Sequence, residues 1–167
     1  MHDETRPRIL VKLTPADRLV EAAGAAGIAA MLLLPALSWH RLPIMIPVHF
    51  NLAGQPDSFG SRWMIWTLPA ITGVLYAGLT ILNRFPQIFN FPVKITSENA
   101  ERLYGIATRM IRILKVMLVL IFLVLTTQTL NTAAGKTEGI GAWFLPATLI
   151  LTLGITVVGI ILMFKKK

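Results

Sequence analysis

The chain has no cysteine among its 167 residues. That excludes disulfides, thiol nucleophiles, thiolate metal sites and cysteine-linked lipid anchors. Charge is scarce: 14% of residues are Asp, Glu, Lys or Arg, and only eight are acidic. Soluble domains carry about 25% charged residues. Of the three histidines, His40 lies near His49 in sequence, whereas His2 is remote in the N-terminal arm. Catalytic designs that need paired carboxylates or three metal ligands therefore have little to draw on. What is abundant is hydrocarbon, with 54% hydrophobic residues and a mean hydropathy of +0.66. This composition calls for lipid as the main solvent, and the length fits one domain.

Four stretches are long and apolar enough to cross a bilayer, which takes about 20 residues. They are Leu19 to Trp39, Trp63 to Asn83, an apolar run from Ile113 to Leu130, and Ala142 to Phe164. The first is longer than a signal-peptide core, so it is read as a retained span although "ALS" before Trp39 has the small residues of a cleavage site. The expected fold is an all-α integral membrane protein with four transmembrane helices.

The basic residues give an orientation. Thirteen of the sixteen Lys and Arg fall on one side: Arg6, Arg8, Lys12 and Arg18, then Arg84, Lys94, Arg102, Arg109, Arg112 and Lys115, then Lys165 to Lys167. Arg41, Arg62 and Lys136 fall on the other. Because positive loops stay inside, both termini are expected in the cytoplasm. The net charge of +8 is then a topology signal, and no nucleic-acid partner is implied. Trp39, Trp63, Trp66 and Trp143 all lie near helix ends on the sparsely charged side. Indole rings favour that wet-apolar boundary.

Local signals mark the helix starts. Thr14, Pro15 and Asp17 form an N-cap, a first-turn proline and a first-turn acid. Thr96 or Ser97 can cap the third helix, with Glu98 and Glu101 near its positive end. From Ser97 to Leu130 the helix would run about 50 Å, beyond a hydrocarbon core of about 30 Å. It should project into the cytoplasm or bend near Gly105, with Arg102, Arg109, Arg112 and Lys115 meeting anionic lipid headgroups. Ala23 with Gly27, and Gly73 with Ala77, have the small-xxx-small spacing of close helix packing. Glu21 is expected to snorkel to the cytoplasmic interface, and no buried carboxylate pair is evident.

Between the first two spans runs "LPIMIPVHFNLAGQPDSFGSRW", Leu42 to Trp63. Pro43 and Pro47 restrict the backbone and favour extended neighbours. Asn51, Gly54, Pro56, Asp57 and Gly60 are turn residues, and Ser61 can cap the next helix. An ordered extracytoplasmic loop is expected, its backbone tied by His49, Asn51 and Asp57. The stretch "IPVHFNLAGQPDSFGSR" resembles the domain-of-unknown-function family found in the N-terminal part of SdpI-type toxin-immunity membrane proteins. The resemblance rests on Pro47, His49, Phe50, Asn51, Gly54, Asp57, Phe59, Gly60, Ser61 and Arg62. It covers the first 85 residues or so, leaving 86–167 as a cytoplasmic connection and two further helices of one structural unit.

The resemblance implies a multi-pass protein of the bacterial cytoplasmic membrane. It also implies a non-enzymatic role: binding an extracytoplasmic peptide, toxin or membrane partner through His49, Phe50, Asn51, Gly54, Asp57 and Arg62. No catalytic set, metal site or cofactor is assigned; the bilayer and its anionic headgroups are the other partners. Two alternatives stay open. One is a metal-dependent or hydrolytic enzyme using His49 and Asp57, and the other is a small transporter using Glu21.

Overall fold

Thr14 begins the first helix by a reciprocal bond pair. In this computed structural model, which describes residues 6–165, the Thr14 hydroxyl accepts from Asp17 N at 3.2 Å. Asp17 in turn accepts from Thr14 N at 2.9 Å, completing a capping box. His2, and Lys166 and Lys167 of the C-terminal basic cluster, lie outside the described residues. Helix α1 spans Pro15–Ser38, α2 Thr67–Leu82, α3 Ala100–Ala133 and α4 Phe144–Phe164. Four helical segments are long and apolar enough to cross a membrane: Pro15–Arg41, Arg62–Leu82, Ala100–Ala133 and Phe144–Phe164. The chain is a multi-pass membrane protein by that criterion.

Two expectations about local structure need correcting. The fold is not purely helical, because the loop after α1 is an antiparallel hairpin, β1 Met45–Phe50 with β2 Pro56–Ser61. Its prolines sit where a ladder tolerates them: Pro56 opens β2, and Pro47 adjoins the bulge that interrupts pairing before His49. The third helix starts later than Ser97. Asn99 accepts from Thr96 N at 2.9 Å and donates to Lys94 O at 3.0 Å, holding 94–99 as a non-helical turn.

The helices run up and down, so the hairpin and the α3–α4 connection share one end while Pro15, Leu82, Ala100 and Phe164 share the other. Helix α3 is the hub. It packs against α1, α2, α4 and β1. Its first turns do not face lipid as the sequence suggests. Leu103, Tyr104 and Ala107 are buried with Ile95 and Met163, and Ile9, Val11, Phe89, Phe91 and Val93 close over them. Arg6 straps this layer by donating to Gln87 O and Phe89 O, with its guanidinium 5.8 Å from the Phe91 ring centre.

The main polar contact between helices is a charge cluster near the start of α1. Asp17 and Glu21, one turn apart, share a face. Arg112 joins them, donating to Asp17 at 3.0 Å and to Glu21 at 3.1 Å. Lys115 binds both Glu21 oxygens, at 2.9 and 2.7 Å, and the Thr80 hydroxyl at 2.7 Å. The Tyr76 hydroxyl donates to Glu21 at 2.8 Å, and Lys115 Nζ lies 4.1 Å from the Tyr76 ring centre. So the two carboxylates do come together, Asp17 buried and Glu21 half-buried, and Glu21 is drawn into the cluster by its cations.

Glycines let α1 approach this closely. A Cβ on Gly24 would lie 2.6 Å from Tyr76 Cε2, and one on Gly27 would lie 2.6 Å from Val119 Cγ1. Gly27 therefore serves the close packing its spacing suggests, whereas Gly73 has no neighbour within 4 Å of its would-be Cβ. Gly24→Ala should accordingly destabilise the protein by about 1–3 kcal/mol through overpacking, because the Tyr76 ring is tied to Glu21 and cannot swing away. Gly73→Ala should be neutral or slightly stabilising. Equilibrium unfolding of the two variants in the same detergent measures the difference.

Candidate functional site

The hairpin turn is built by Asn51. Its side-chain oxygen accepts from Ala53 N at 2.9 Å and Gln55 N at 3.1 Å, while its backbone N donates to Gln55 O at 2.8 Å. Gly54 takes φ +75°, a left-handed conformation that suits glycine. Its carbonyl then accepts from Ile140 N at 2.7 Å and Gly141 N at 3.4 Å, in the α3–α4 connection. Gly139 and Gly141 also take positive φ there. A Cβ on Gly54 would collide with the Gly141 backbone. Three glycines thus let two loops touch backbone to backbone, and the hairpin tip is pinned to the opposite half of the chain.

Behind the tip, His49 Nδ1 lies 2.6 Å from Asp57 Oδ1 across the strands. Both side chains are exposed, at 67% and 41%. The base of the hairpin rests on aromatic rings: Trp39 and Trp63 are 4.6 Å apart, and the Arg62 guanidinium is 4.9 Å from the Trp39 ring centre. Ile46 of β1 is buried with Leu42, Ile65 and Leu130. Arg62 therefore braces the hairpin base.

Beneath the hairpin is a groove of about 610 Å³. Residues 46–52 roof it, with Asp57 at the rim; Leu125 and Thr129 of α3 form its floor. Thr67 and Leu68 of α2 stand on one side and Phe144 and Leu145 of α4 on the other. Its size falls within the usual range of small-ligand sites, about 300–1,000 Å³. Of the loop residues singled out in the sequence, His49, Phe50, Asn51, Gly54 and Asp57 all line it. Among the described residues no three His, Asp or Glu come together as a metal-ligand set.

The four basic residues expected at lipid headgroups are placed differently from one another. Arg112 and Lys115 are buried in the charge cluster, with side-chain exposures of 7% and 0%. Arg102 donates to Leu162 O at 3.1 Å and Met163 O at 3.4 Å, neutralising the carbonyl end of α4. Arg109 alone combines a bond to Asp17, at 3.3 Å, with a largely exposed side chain. Sequence reasoning missed Thr129, Leu125, Ile140 and Phe144, since nothing in a helical apolar run marks which residues a distant hairpin will cover.

Residues 26–73 match the family model described as "Domain of unknown function (DUF1648)". The match takes in the second half of α1, the hairpin and the first half of α2, and so contains the motif whose resemblance was read from the loop. An uncharacterized protein of Archaeoglobus fulgidus is 34% identical over 88 residues, covering 48% of this chain and 48% of that protein. The similarity thus spans about half the length of that relative. No solved structure matches the chain.

The geometry separates structural from chemical roles in the hairpin. Gly54→Val should disorder the tip and free the α3–α4 connection, at a cost of about 1–3 kcal/mol from backbone strain before the clash is counted. Asp57→Asn, which keeps an acceptor for His49, should be milder than Asp57→Ala. Hydrogen exchange at the Ile140 amide reports both: fast exchange is expected in Gly54→Val and near-native protection in Asp57→Asn.

Proposed function

We propose that the hairpin and the groove beneath it form a non-enzymatic recognition site for an amphipathic extracytoplasmic molecule: a peptide, a toxin or a membrane partner. In this reading the protein lies in the bacterial cytoplasmic membrane with both termini inside, as the thirteen-to-three distribution of basic residues favours. The hairpin then stands at the outer face. Immunity or signalling of the SdpI type is the physiological setting that the motif resemblance suggests.

The observation that carries the proposal is the convergence of the motif on one cavity. His49, Phe50, Asn51, Gly54 and Asp57 come from both sides of a turn, and each lines the same groove. Apolar walls under a small number of polar rim groups are the composition of a binding site. His49 and Asp57 bond each other, and among the described residues no third His, Asp or Glu joins them as a ligand set, so recognition suits them better than hydrolysis. The cluster around Glu21 links α1, α2 and α3 and pairs both carboxylates with cations, which favours a structural role over ion coupling.

The natural absence of cysteine makes the test clean. A photoreactive amino acid at Phe50 should crosslink a discrete species in living cells. A single cysteine at Gln55 should react with a membrane-impermeant maleimide added outside. Leu68→Trp, which fills the groove, should abolish the crosslink while leaving the maleimide reaction intact. A Phe50 adduct that ignores the filled groove would contradict recognition at this site.

A further inference from the structure

The groove has a side the hairpin does not cover. Helices α2 and α4 each pack on α3, and the groove lies between them over Leu125 and Thr129. In a membrane, that gap faces lipid. Leu125 to Thr129 is one helical turn, about 6 Å, so the site is too shallow to enclose a long hydrocarbon chain. It can hold the part of an amphiphile nearest its head.

Thr129 gives the floor a second, independent feature. Six other threonines in the helices, Thr72, Thr80, Thr108, Thr127, Thr152 and Thr156, donate their hydroxyls to the carbonyl four residues earlier. Thr126 and Thr129 of α3 make no such bond: the Thr126 hydroxyl is fully buried without a partner, whereas Thr129, 7% exposed and also without a partner among the described residues, lines the groove. Of the two, Thr129 borders the groove, so a molecule there can reach its hydroxyl, and in lipid water is scarce as an alternative partner. An occupant of the groove can supply the partner that the protein does not. Thr129 is also one turn from the end of α3, on the hairpin side of the helix.

Charge narrows the occupant. His49 and Asp57 are the ionisable side chains among the lining residues, and they are bonded to each other. Among the described residues no Lys or Arg lines the groove, so a phosphate group would find no counter-charge from them. Asp57 engages His49 Nδ1, so Nε2 is the ring atom left to bond a hydroxyl at the rim.

We infer that the groove takes a bilayer lipid with an uncharged head, entering sideways between α2 and α4 and placing its polar linkage against the Thr129 hydroxyl. The hydroxyl of such a head meets His49, and the tail stays in the membrane. This rests on the groove being a recognition site and names what it recognises.

The full chain, reconstituted in nanodiscs, can be tested with two photoreactive probes of identical acyl chains. One is a diacylglycerol and the other an anionic phosphatidylglycerol, each with its diazirine near the linkage. Adducts on Leu68, Leu125 or Leu145 should come mainly from the diacylglycerol. Thr129→Val should lower them about fivefold, as expected for one lost hydrogen bond. The back-bonded control Thr127→Val should not, and labelling of the lipid-exposed Leu153 and Val157 should be unchanged in both. Equal groove labelling by the two probes, or no effect of Thr129→Val, overturns the inference. If Phe50 instead captures a polypeptide in a groove-dependent way, recognition stands and the lipid assignment falls. If the diacylglycerol fills the groove and Phe50 captures nothing in cells, capture of an extracytoplasmic peptide or toxin falls and recognition of the lipid stands.

Discussion

The attachment of α1 to α3 by opposite charges is the constraint on which the rest of the structure depends. Asp17 and Glu21 can reach Arg109, Arg112 and Lys115 only if α1 stands at one height and one rotation beside α3. In a medium of low polarity a single unpaired member would be strongly unfavourable. Apolar contact between helices surrounded by lipid has no comparable power to choose a register, because lipid packs against leucine as well as another helix does. The charges set the register, and Gly24 and Gly27 allow the approach.

From that anchored end, α1 carries the fold to the other side of the membrane. Trp39 and the strand that follows arrive at a height set by the charge cluster, and Ile46 meets Leu130 near the end of α3. Gly54 then reaches Ile140 and Gly141, so the hairpin is held at its base by apolar side chains and at its tip by backbone bonds. The groove is the space left between those two attachments. Its shape follows from a roof supplied by the first half of the chain and a floor supplied by the second. The site therefore needs both halves, although the family match lies wholly in the first.

Much of the scaffold was legible in the sequence, because lipid and helix ends impose local rules. The four spans, the Thr14 cap and the ordered loop follow from composition and turn chemistry that act within a few residues. The hairpin pairing was harder to see: Pro47 and Pro56 argue for extension but also against a ladder, and the bulge that reconciles them is a tertiary feature. The charge cluster had a local trace in the spacing of Asp17 with Glu21 and of Arg109, Arg112 and Lys115. Their pairing spans more than ninety residues, and charges near a helix end equally suit a headgroup. Thr129 could not be singled out, since whether a helical threonine bonds its own backbone is a choice of rotamer.

The most direct measurement is the coupling between Glu21 and Lys115 in a thermodynamic cycle of Glu21→Gln, Lys115→Met and the double variant, read by reversible unfolding in bilayers. Glu21→Gln should destabilise by about 3–5 kcal/mol, because it leaves the buried Lys115 without its counter-charge, and Lys115→Met by less, because Glu21 keeps Arg112 and Tyr76. The double variant should be more stable than the sum of the two by at least about 1 kcal/mol. Additive effects, or single variants as stable as the parent, would contradict the claim that this charge cluster holds α1 in register.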